Sequence, residues 1–320
     1  MKEKGFKVSR LTKHTEFSLI LIIIALFIVF SVFSSSFLTE YNLMNLLKQC
    51  SIIGVIAICA TFVIITGGID LSCGSVVGMS SLMVALGMTQ FALPIPIAIL
   101  LAILVGGACG LYNGVIIHEF KVPPFIATLG SMTIIRGLIK VISEAKTIAG
   151  LPEEFSNFSS SSFLGIPNLT WIWAVVIVLG FLILKFTRFG RNLYVIGSGQ
   201  EVARLSGINI RKTTYAVYIV AGLLCGLAGV LLASRANSSV PTAGQGYEMN
   251  AIAATVIGGA SLSGAKGSVW GTMLGTILMM LVDNGGIQIG IDPFIMEISS
   301  GVLITIAVII DQFRNKKQAN

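Results

Sequence analysis

Ten long apolar runs, separated by shorter polar segments, follow one another along almost the whole chain of 320 residues. A helix that crosses a bilayer needs roughly 20 predominantly apolar residues, so such runs favour membrane-spanning helices. Charged residues make up 11% of the chain, against about 25% in typical soluble domains. A soluble chain of this composition would expose much apolar surface to water. The sequence therefore predicts an all-α polytopic membrane protein, with about ten transmembrane helices in a single domain over residues 1–320.

The predicted spans follow the apolar runs, and the eighth and ninth are shorter than a comfortable span. They cover residues 17–33, 50–66, 72–88, 93–117, 125–142, 171–186, 214–233, 250–262, 269–281 and 294–310. Basic residues precede the first run, as they do in signal peptides, but the run is long and no A-x-A cleavage site follows it. We therefore expect the first span to be retained as an anchor.

The distribution of Lys and Arg predicts the orientation of these spans. If both termini are cytoplasmic, sixteen of the 21 basic residues lie on the cytoplasmic side and five lie on the other. This asymmetry follows the positive-inside rule, and it requires an even number of spans. The cytoplasmic side then carries an N-terminal tail over residues 1–16 and a loop over residues 187–212. The polar segment 143–170 is expected to be extracytoplasmic.

A polar interruption, TGGIDLS at residues 66–72, separates the second and third spans. Gly67 and Gly68 break the helix, and Asp70 places an acid at the edge of the bilayer, where an ionisable group is a candidate for function. The exposed backbone of such a break must face protein or a water-filled cavity. Asp70 and Ser72 are therefore candidate pathway residues. The structural alternative is that these side chains cap the third helix.

Polar residues also lie within the fourth and fifth spans. Thr128 and Ser131 are three residues apart and share one helix face, and Asn113 is a similar residue in the fourth span. These side chains are candidates for the lining of a polar path. Alternatively, the hydroxyls bond to backbone carbonyls of their own helix.

Glycine-rich segments recur along the chain. The segment GGIDLSCGSVVG from Gly67 is echoed by GGASLSGAKGSVWG from Gly258, and duplicated segments interrupted by glycine often mark the pathway of a transporter. Glycines at four-residue spacing also predict close helix packing. These sets are Gly74/Gly78, Gly106/Gly110/Gly114, Gly222/Gly226 and Gly267/Gly271/Gly275.

The cytoplasmic loop 187–212 is basic and long enough to suggest a docking role. Residues 200–206 predict a short helix, with Glu201 in its first turn and Gly207 at its end. The chain contains no Gly-Lys dipeptide, so a phosphate-binding GxxxxGK[ST] loop is excluded. We therefore expect no enzyme activity and no bound cofactor. If ATP and Mg²⁺ are used, another subunit must bind them.

The remaining chemistry is sparse. The net charge of +7 is too small for a nucleic-acid surface, so no nucleic-acid partner is expected. The five cysteines lie in or beside apolar runs without a CxxC pair, and the two histidines have no neighbouring metal ligand. We expect these cysteines to be packing residues and predict no metal site.

Five segments, in order, resemble the ribose-type permeases of bacterial ABC sugar importers. They are TGGIDLSCGS from Thr66, PPFIATLGSM from Pro123, GRNLYVIGSGQEVARLSGI from Gly190, PTAGQGYEMNAIAATVIGGASLSGAKGS from Pro241, and the basic C-terminal tail. The resemblance covers residues 17–311. It implies a permease in the bacterial cytoplasmic membrane, paired with a second permease chain as a homodimer or heterodimer. It also implies an ATPase subunit below the membrane and a sugar-binding protein outside it, importing a monosaccharide, with a ribose-like pentose favoured.

The resemblance also assigns residues. Residues 199–207 resemble the helix that couples such permeases to the ATPase, which implicates Gln200, Glu201, Ala203, Arg204, Leu205, Ser206 and Gly207. Residues 241–248 resemble the outer loop near the gate, which implicates Pro241 and Glu248. Three alternatives remain: an ion-coupled secondary transporter, which usually needs several acids at mid-membrane; a channel or scaffold; and an ABC permease for a small ligand other than a sugar.

Overall fold

The computed structural model describes residues 3–319, with side chains described for residues 16–306, 308–309 and 311–312. Thirteen helices account for most of the described chain. They are α1 (Glu3–Phe33), α2 (Glu40–Ile65), α3 (Cys73–Thr89), α4 (Ile95–Glu119), α5 (Pro124–Ile142), α6 (Glu153–Ser160), α7 (Asn168–Phe186), α8 (Arg188–Ser198), α9 (Gln200–Leu205), α10 (Ile210–Ala236), α11 (Tyr247–Ile257), α12 (Val269–Gln288) and α13 (Pro293–Ala319). The all-α prediction is confirmed.

Besides the helices, the described residues contain two small antiparallel pairs of strands. The strands are β1 (Ile148–Ala149), β2 (Ser162–Phe163), β3 (Ile166–Pro167) and β4 (Ser238–Ser239), paired as β1–β4 and β2–β3. In the first pair, Ile148 lies opposite Ser239 and Ala149 opposite Ser238. This pairing ties the 143–170 segment to the loop that precedes α11.

Each predicted span contains a helix, but the helices differ in their ability to cross a membrane. In the described part of the chain, α1, α2, α4, α5, α7 and α10 are long and apolar enough to do so. Helix α3 and the Pro293–Ile306 part of α13 are apolar but shorter. Helix α11 has 11 residues and rises about 16 Å, roughly half of a ~30 Å hydrocarbon core. The chain is a polytopic helical membrane protein, and the count of ten spans stays a prediction.

Helix α2 occupies the centre of the bundle. Every residue from Cys50 to Ile65 is buried, and the helix packs against α7, α10, α11 and α12. A helix that is apolar on all sides is normally enclosed by other helices. In contrast, α1, α4, α5 and α7 leave many large apolar side chains exposed, as lipid-facing helices do.

Glycines bring α4 and α10 into backbone contact. A Cβ atom on Gly106 would overlap the carbonyl of Gly222, and one on Gly110 would overlap the carbonyl of Tyr218. A Cβ on Gly226 would lie 2.8 Å from the Cα of Ile103. In lipid, helices associate mainly through such close van der Waals packing. The packing role predicted from the glycine spacing is confirmed for this pair of helices.

The two long polar segments lie at opposite ends of α7. In segment 143–170, the Ser159 hydroxyl donates to the Ser234 carbonyl at 2.9 Å and fastens α6 to the end of α10. The 187–212 loop contains both α8 and α9, whereas the sequence predicted only the shorter helix. Helix α8 was missed because Gly190 and Gly197 interrupt its apolar pattern.

We expect Gly110→Ala to destabilise the protein by about 1–3 kcal/mol, because the added methyl group overpacks the contact between α4 and α10. Gly137→Ala on α5 is the matched control, since nothing lies within 4 Å of its added Cβ. Both changes gain similar helix propensity. The measurement is the melting temperature of the two purified variants in detergent. Equal melting temperatures would contradict the close-packing role of Gly110.

Candidate functional site

The break between α2 and α3, residues 66–72, is folded into the protein interior. Asp70 is only 6% exposed. Its Oδ1 accepts a hydrogen bond from the backbone N–H of Ser72 at 2.8 Å and another from the Ser72 hydroxyl at 2.6 Å. Gly67 turns the chain with a φ of +80°, a conformation that suits glycine. Asp70 thus holds the first residues of α3 in place.

Side chains from α4 and α5 complete the contacts of this break. Asn113 donates from Nδ2 to the Ser72 hydroxyl at 2.8 Å. Thr128 Oγ1 accepts a hydrogen bond from the Leu71 N–H at 3.1 Å. The structure therefore brings four predicted pathway residues into one polar cluster: Asp70, Ser72, Asn113 and Thr128.

The structural alternatives for these residues are only partly realised. Asp70 bonds Ser72, the residue before the first turn of α3, whereas the Ser72 side chain makes no capping hydrogen bond to α3. The Thr128 hydroxyl lies 2.9 Å from the Pro124 carbonyl of its own helix and 3.2 Å from the Ile69 carbonyl in the break. The polar cluster therefore supports the backbone of the break, and its role in transport stays a prediction.

The second glycine-rich segment, residues 258–268, meets the first break. The Ala265 N–H donates to the Ile65 carbonyl at 2.9 Å. A Cβ on Gly264 would lie 3.1 Å from the Gly67 nitrogen. The two glycine-rich segments that precede α3 and α12 thus contact each other.

Helix α8 contacts the second break and the end of α2, which the sequence analysis did not anticipate. The Tyr194 hydroxyl donates to the Gly267 carbonyl at 2.9 Å. Gly197 packs against the Ile65 carbonyl and the Ala265 nitrogen so closely that a side chain would overlap them. In the sequence, Gly197 is a glycine within an amphipathic run, which could have indicated close packing. Only the fold shows which backbone atoms Gly197 contacts.

Glu248 lies against α3 beyond the break, and Ser131 is buried on α5, which packs against α3. Glu248, in the first turn of α11, is 8% exposed, and its carboxylate lies against Gly74. Glu248 Oε2 and Ser131 Oγ are buried and have no hydrogen-bond partner among the described side chains and backbone. Arg136 of α5 donates to the Ala243 carbonyl at 2.6 Å. Unpaired buried groups of this kind can bind a ligand that carries hydroxyl groups.

Two other predicted pathway residues, Gly68 and Pro241, take no part in the hydrogen bonds of the polar cluster. Gly68 is buried, and a Cβ there would lie 2.9 Å from the Tyr218 hydroxyl. Pro241 is half-buried in the loop between β4 and α11, at the end of the bundle that carries segment 143–170. Its location fits the outer loop that the sequence resemblance implied.

Helix α9 confirms the predicted short helix in the 187–212 loop. Its end is marked by Gly207 with a φ of +73°, and Glu201 pairs with Arg204 at 3.1 Å on its surface. Ala203 is buried, and the other residues that the resemblance implicated are exposed: Gln200, Glu201, Arg204, Leu205, Ser206 and Gly207. Leu205 is 79% exposed, so it is free to contact another protein.

A bundle of apolar helices around two broken, glycine-rich segments defines a polytopic membrane protein of the transport class. Residues 42–310 match the family described as the branched-chain amino acid transport system / permease component, and the chain belongs to this family.

Relatives match nearly the whole chain. The ribose import permease protein RbsC of Bacillus subtilis is 42% identical over 289 residues, covering 90% of this chain and 89% of the relative. RbsC of Escherichia coli K12 is 38% identical, covering 94% of each chain. The galactose/methyl galactoside import permease protein MglC of Haemophilus influenzae is 35% identical, covering 88% of this chain and 90% of the relative. No solved structure shows a significant match.

We expect Asp70→Asn to insert and fold normally but to reduce solute uptake at least about tenfold, equivalent to 1.4 kcal/mol. The amide oxygen can still accept the hydrogen bonds from Ser72, so only the charge is lost. Ser75→Ala is the matched control, because it removes one buried hydroxyl of α3, which donates to the Ser72 carbonyl, and keeps the acid. The measurement is uptake per molecule of protein in the membrane. Parent-like uptake by Asp70→Asn would leave capping as the only role of Asp70.

Proposed function

We propose that this chain is the membrane-spanning permease subunit of an ABC importer that moves a monosaccharide into the cell, with a ribose-like pentose favoured. The observation that carries the proposal is the 42% identity, over 90% of this chain, to a ribose import permease. The family description refers to branched-chain amino acids. Relatives named for ribose and galactose match nearly the full length, and this favours a sugar.

The energy for import would come from separate ATPase subunits that bind ATP and Mg²⁺, because this chain has no phosphate-binding GxxxxGK[ST] loop. A sugar-binding protein outside the membrane would deliver the substrate. Two permease chains, identical or related, would form the pathway in the bacterial cytoplasmic membrane. The exposed apolar residues of α5, such as Phe125, Ile126 and Ile134, suit contact with lipid or with the second permease.

The coupling path would run from α9 through α8 to the two breaks. Helix α9 presents Leu205 and the Glu201–Arg204 pair to the ATPase. Helix α8 contacts the second break through Tyr194 and Gly197, and the end of α2 through Gly197. A displacement of α9 would therefore shift the starts of α3 and α12, and with them the groups that lie along α3.

The pathway would pass the polar groups around α3. Gly67, Gly68 and the polar cluster would form its cytoplasmic end, Ser131 and Glu248 would lie farther along α3, and Pro241 would lie near the outer gate. The unpaired oxygens of Ser131 and Glu248 suit hydroxyl groups of a sugar. In this mechanism the chain binds and moves the sugar without any covalent chemistry.

The orientation is tested with single cysteines in a cysteine-free background. Ser160 and Ser198 are both exposed, and they lie on opposite sides of α7 along the chain. With cytoplasmic termini, Ser160→Cys should react with an impermeant maleimide in intact cells. Ser198→Cys should react only after the membrane is opened. The reverse pattern would refute the proposed orientation.

We expect Leu205→Glu to weaken docking of the ATPase by about 2–4 kcal/mol, because a charge would enter an apolar contact. This corresponds to roughly 30- to 1000-fold in affinity. The measurement is ATPase activity and sugar uptake in proteoliposomes that contain the full transporter and its sugar-loaded binding protein. The parent should require ATP for uptake, and Leu205→Glu should lose both activities.

Two controls complete this experiment. Leu205→Met keeps an apolar side chain of similar volume and should retain activity. A Glu201→Ala/Arg204→Ala variant removes an exposed ion pair, which itself contributes little to stability. Full stimulation in both Leu205→Glu and this double variant would exclude α9 as the coupling element. Uptake driven by an ion gradient without ATP would refute the ABC importer.

A further inference from the structure

Three cysteines that are far apart in sequence meet in the centre of the bundle. Cys59 lies on α2, Cys73 is the first residue of α3, and Cys225 lies on α10. The Cys59 sulfur is 3.5 Å from that of Cys73 and 3.6 Å from that of Cys225. All three side chains are buried, and the three sulfurs lie within 4.8 Å of one another. The sequence predicted isolated packing residues, and their convergence is a product of the fold.

The spacing of these sulfurs is close to that of a tetrahedral metal site. Zinc–sulfur bonds are about 2.3 Å long, and at tetrahedral angles two bound sulfurs stand about 3.8 Å apart. The observed distances differ from this value by a few tenths of an ångström. They are far longer than the roughly 2.05 Å bond of a disulfide. The cysteines are free thiols already arranged at the spacing of ligands.

Oxygen groups adjoin the three thiols. The Asp70 carboxylate is a hydrogen-bond partner of the Cys73 side chain, and it lies outside the group of three sulfurs that are all within 4.8 Å of one another. The Tyr218 hydroxyl lies beside Gly68 in the break, is buried, and has no hydrogen-bond partner among the described residues. This hydroxyl is an unpaired buried polar group on α10, the helix that also carries Cys225.

We propose that Cys59, Cys73 and Cys225 form a binding site for a thiophilic divalent cation of the zinc class, with Asp70 as an outer hydrogen-bond partner of Cys73. Thiols bind such ions as thiolates, so binding releases protons. If two protons are released per ion, the net charge of the site stays at that of Asp70 alone, which limits the cost of placing it in a buried environment. Gly67, in the break that precedes Cys73, is exposed.

A bound cation would join α2, α3 and α10 at the end of the α2–α3 break, where α3 begins. This junction holds the polar cluster, so the ion would keep the break in one arrangement. If the proposed transport function is correct, the cation would inhibit import. Binding itself does not depend on that function, and the two are measured separately.

The test uses the purified full-length chain in detergent, with Cd²⁺ as the probe because its thiolate complexes absorb in the ultraviolet. We expect one Cd²⁺ per chain with thiolate absorption, displaced by Zn²⁺, and a higher melting temperature when the ion is bound. Cys59→Ala and Cys225→Ala should each weaken binding by more than the roughly 10- to 100-fold that loss of an outer partner costs. Asp70→Asn should also weaken it.

Cys50→Ala and Cys109→Ala are the matched controls. Cys50 is equally buried on the same helix as Cys59, and Cys109 is half-buried on α4, yet neither belongs to the cluster. Both should bind Cd²⁺ as the parent does. Melting curves without metal identify any variant that fails to fold. If either Cys59→Ala or Cys225→Ala fails to fold, the other variant provides the test of metal binding. The proposal is overturned if the parent shows no thiolate absorption, or if folded Cys59→Ala or Cys225→Ala binds Cd²⁺ like the controls.

Discussion

A backbone that leaves its helix inside a membrane protein must find hydrogen-bond partners without help from water, because each unsatisfied group in hydrocarbon costs several kcal/mol. The α2–α3 break meets this requirement with Asp70 of the break itself and with side chains from α4 and α5. Asp70 and Thr128 bond the N–H groups of Ser72 and Leu71, and Asn113 bonds the Ser72 hydroxyl. These hydrogen bonds therefore link the start of α3 to α4 and α5.

Close packing brings these partners together. The glycines of α4 and α10 allow their backbones to touch, which sets Asn113 at the depth of the break and Tyr218 beside Gly68. Because α2 is enclosed on all sides, its end at Ile65 is a fixed point at which α8 and the second break converge. A rigid centre with two adjoining breaks suits a protein whose helices must shift without separating.

The groups left without partners are as informative as those that are bonded. Buried polar atoms are normally satisfied, and each exception calls for a physical reason. Asn113 Oδ1, Ser131 Oγ, Tyr218 Oη and Glu248 Oε2 are exceptions among the described residues. Asn113 and Tyr218 adjoin the break, and Glu248 lies against α3. This concentration fits a place where a transported or bound ligand supplies the missing contacts.

Much of the fold could be predicted from the sequence alone. Helices in lipid require long apolar runs, and glycines at four-residue spacing indicate faces where helices pack closely. The helical class, the break at Gly67–Gly68 and the short helix ended by Gly207 could all be read from local patterns. The convergence of Cys59, Cys73 and Cys225 and the contact of α8 with the second break and the end of α2 could not. Those features depend on which helix faces lie against one another, and the sequence around each residue carries no record of a neighbour from a distant helix.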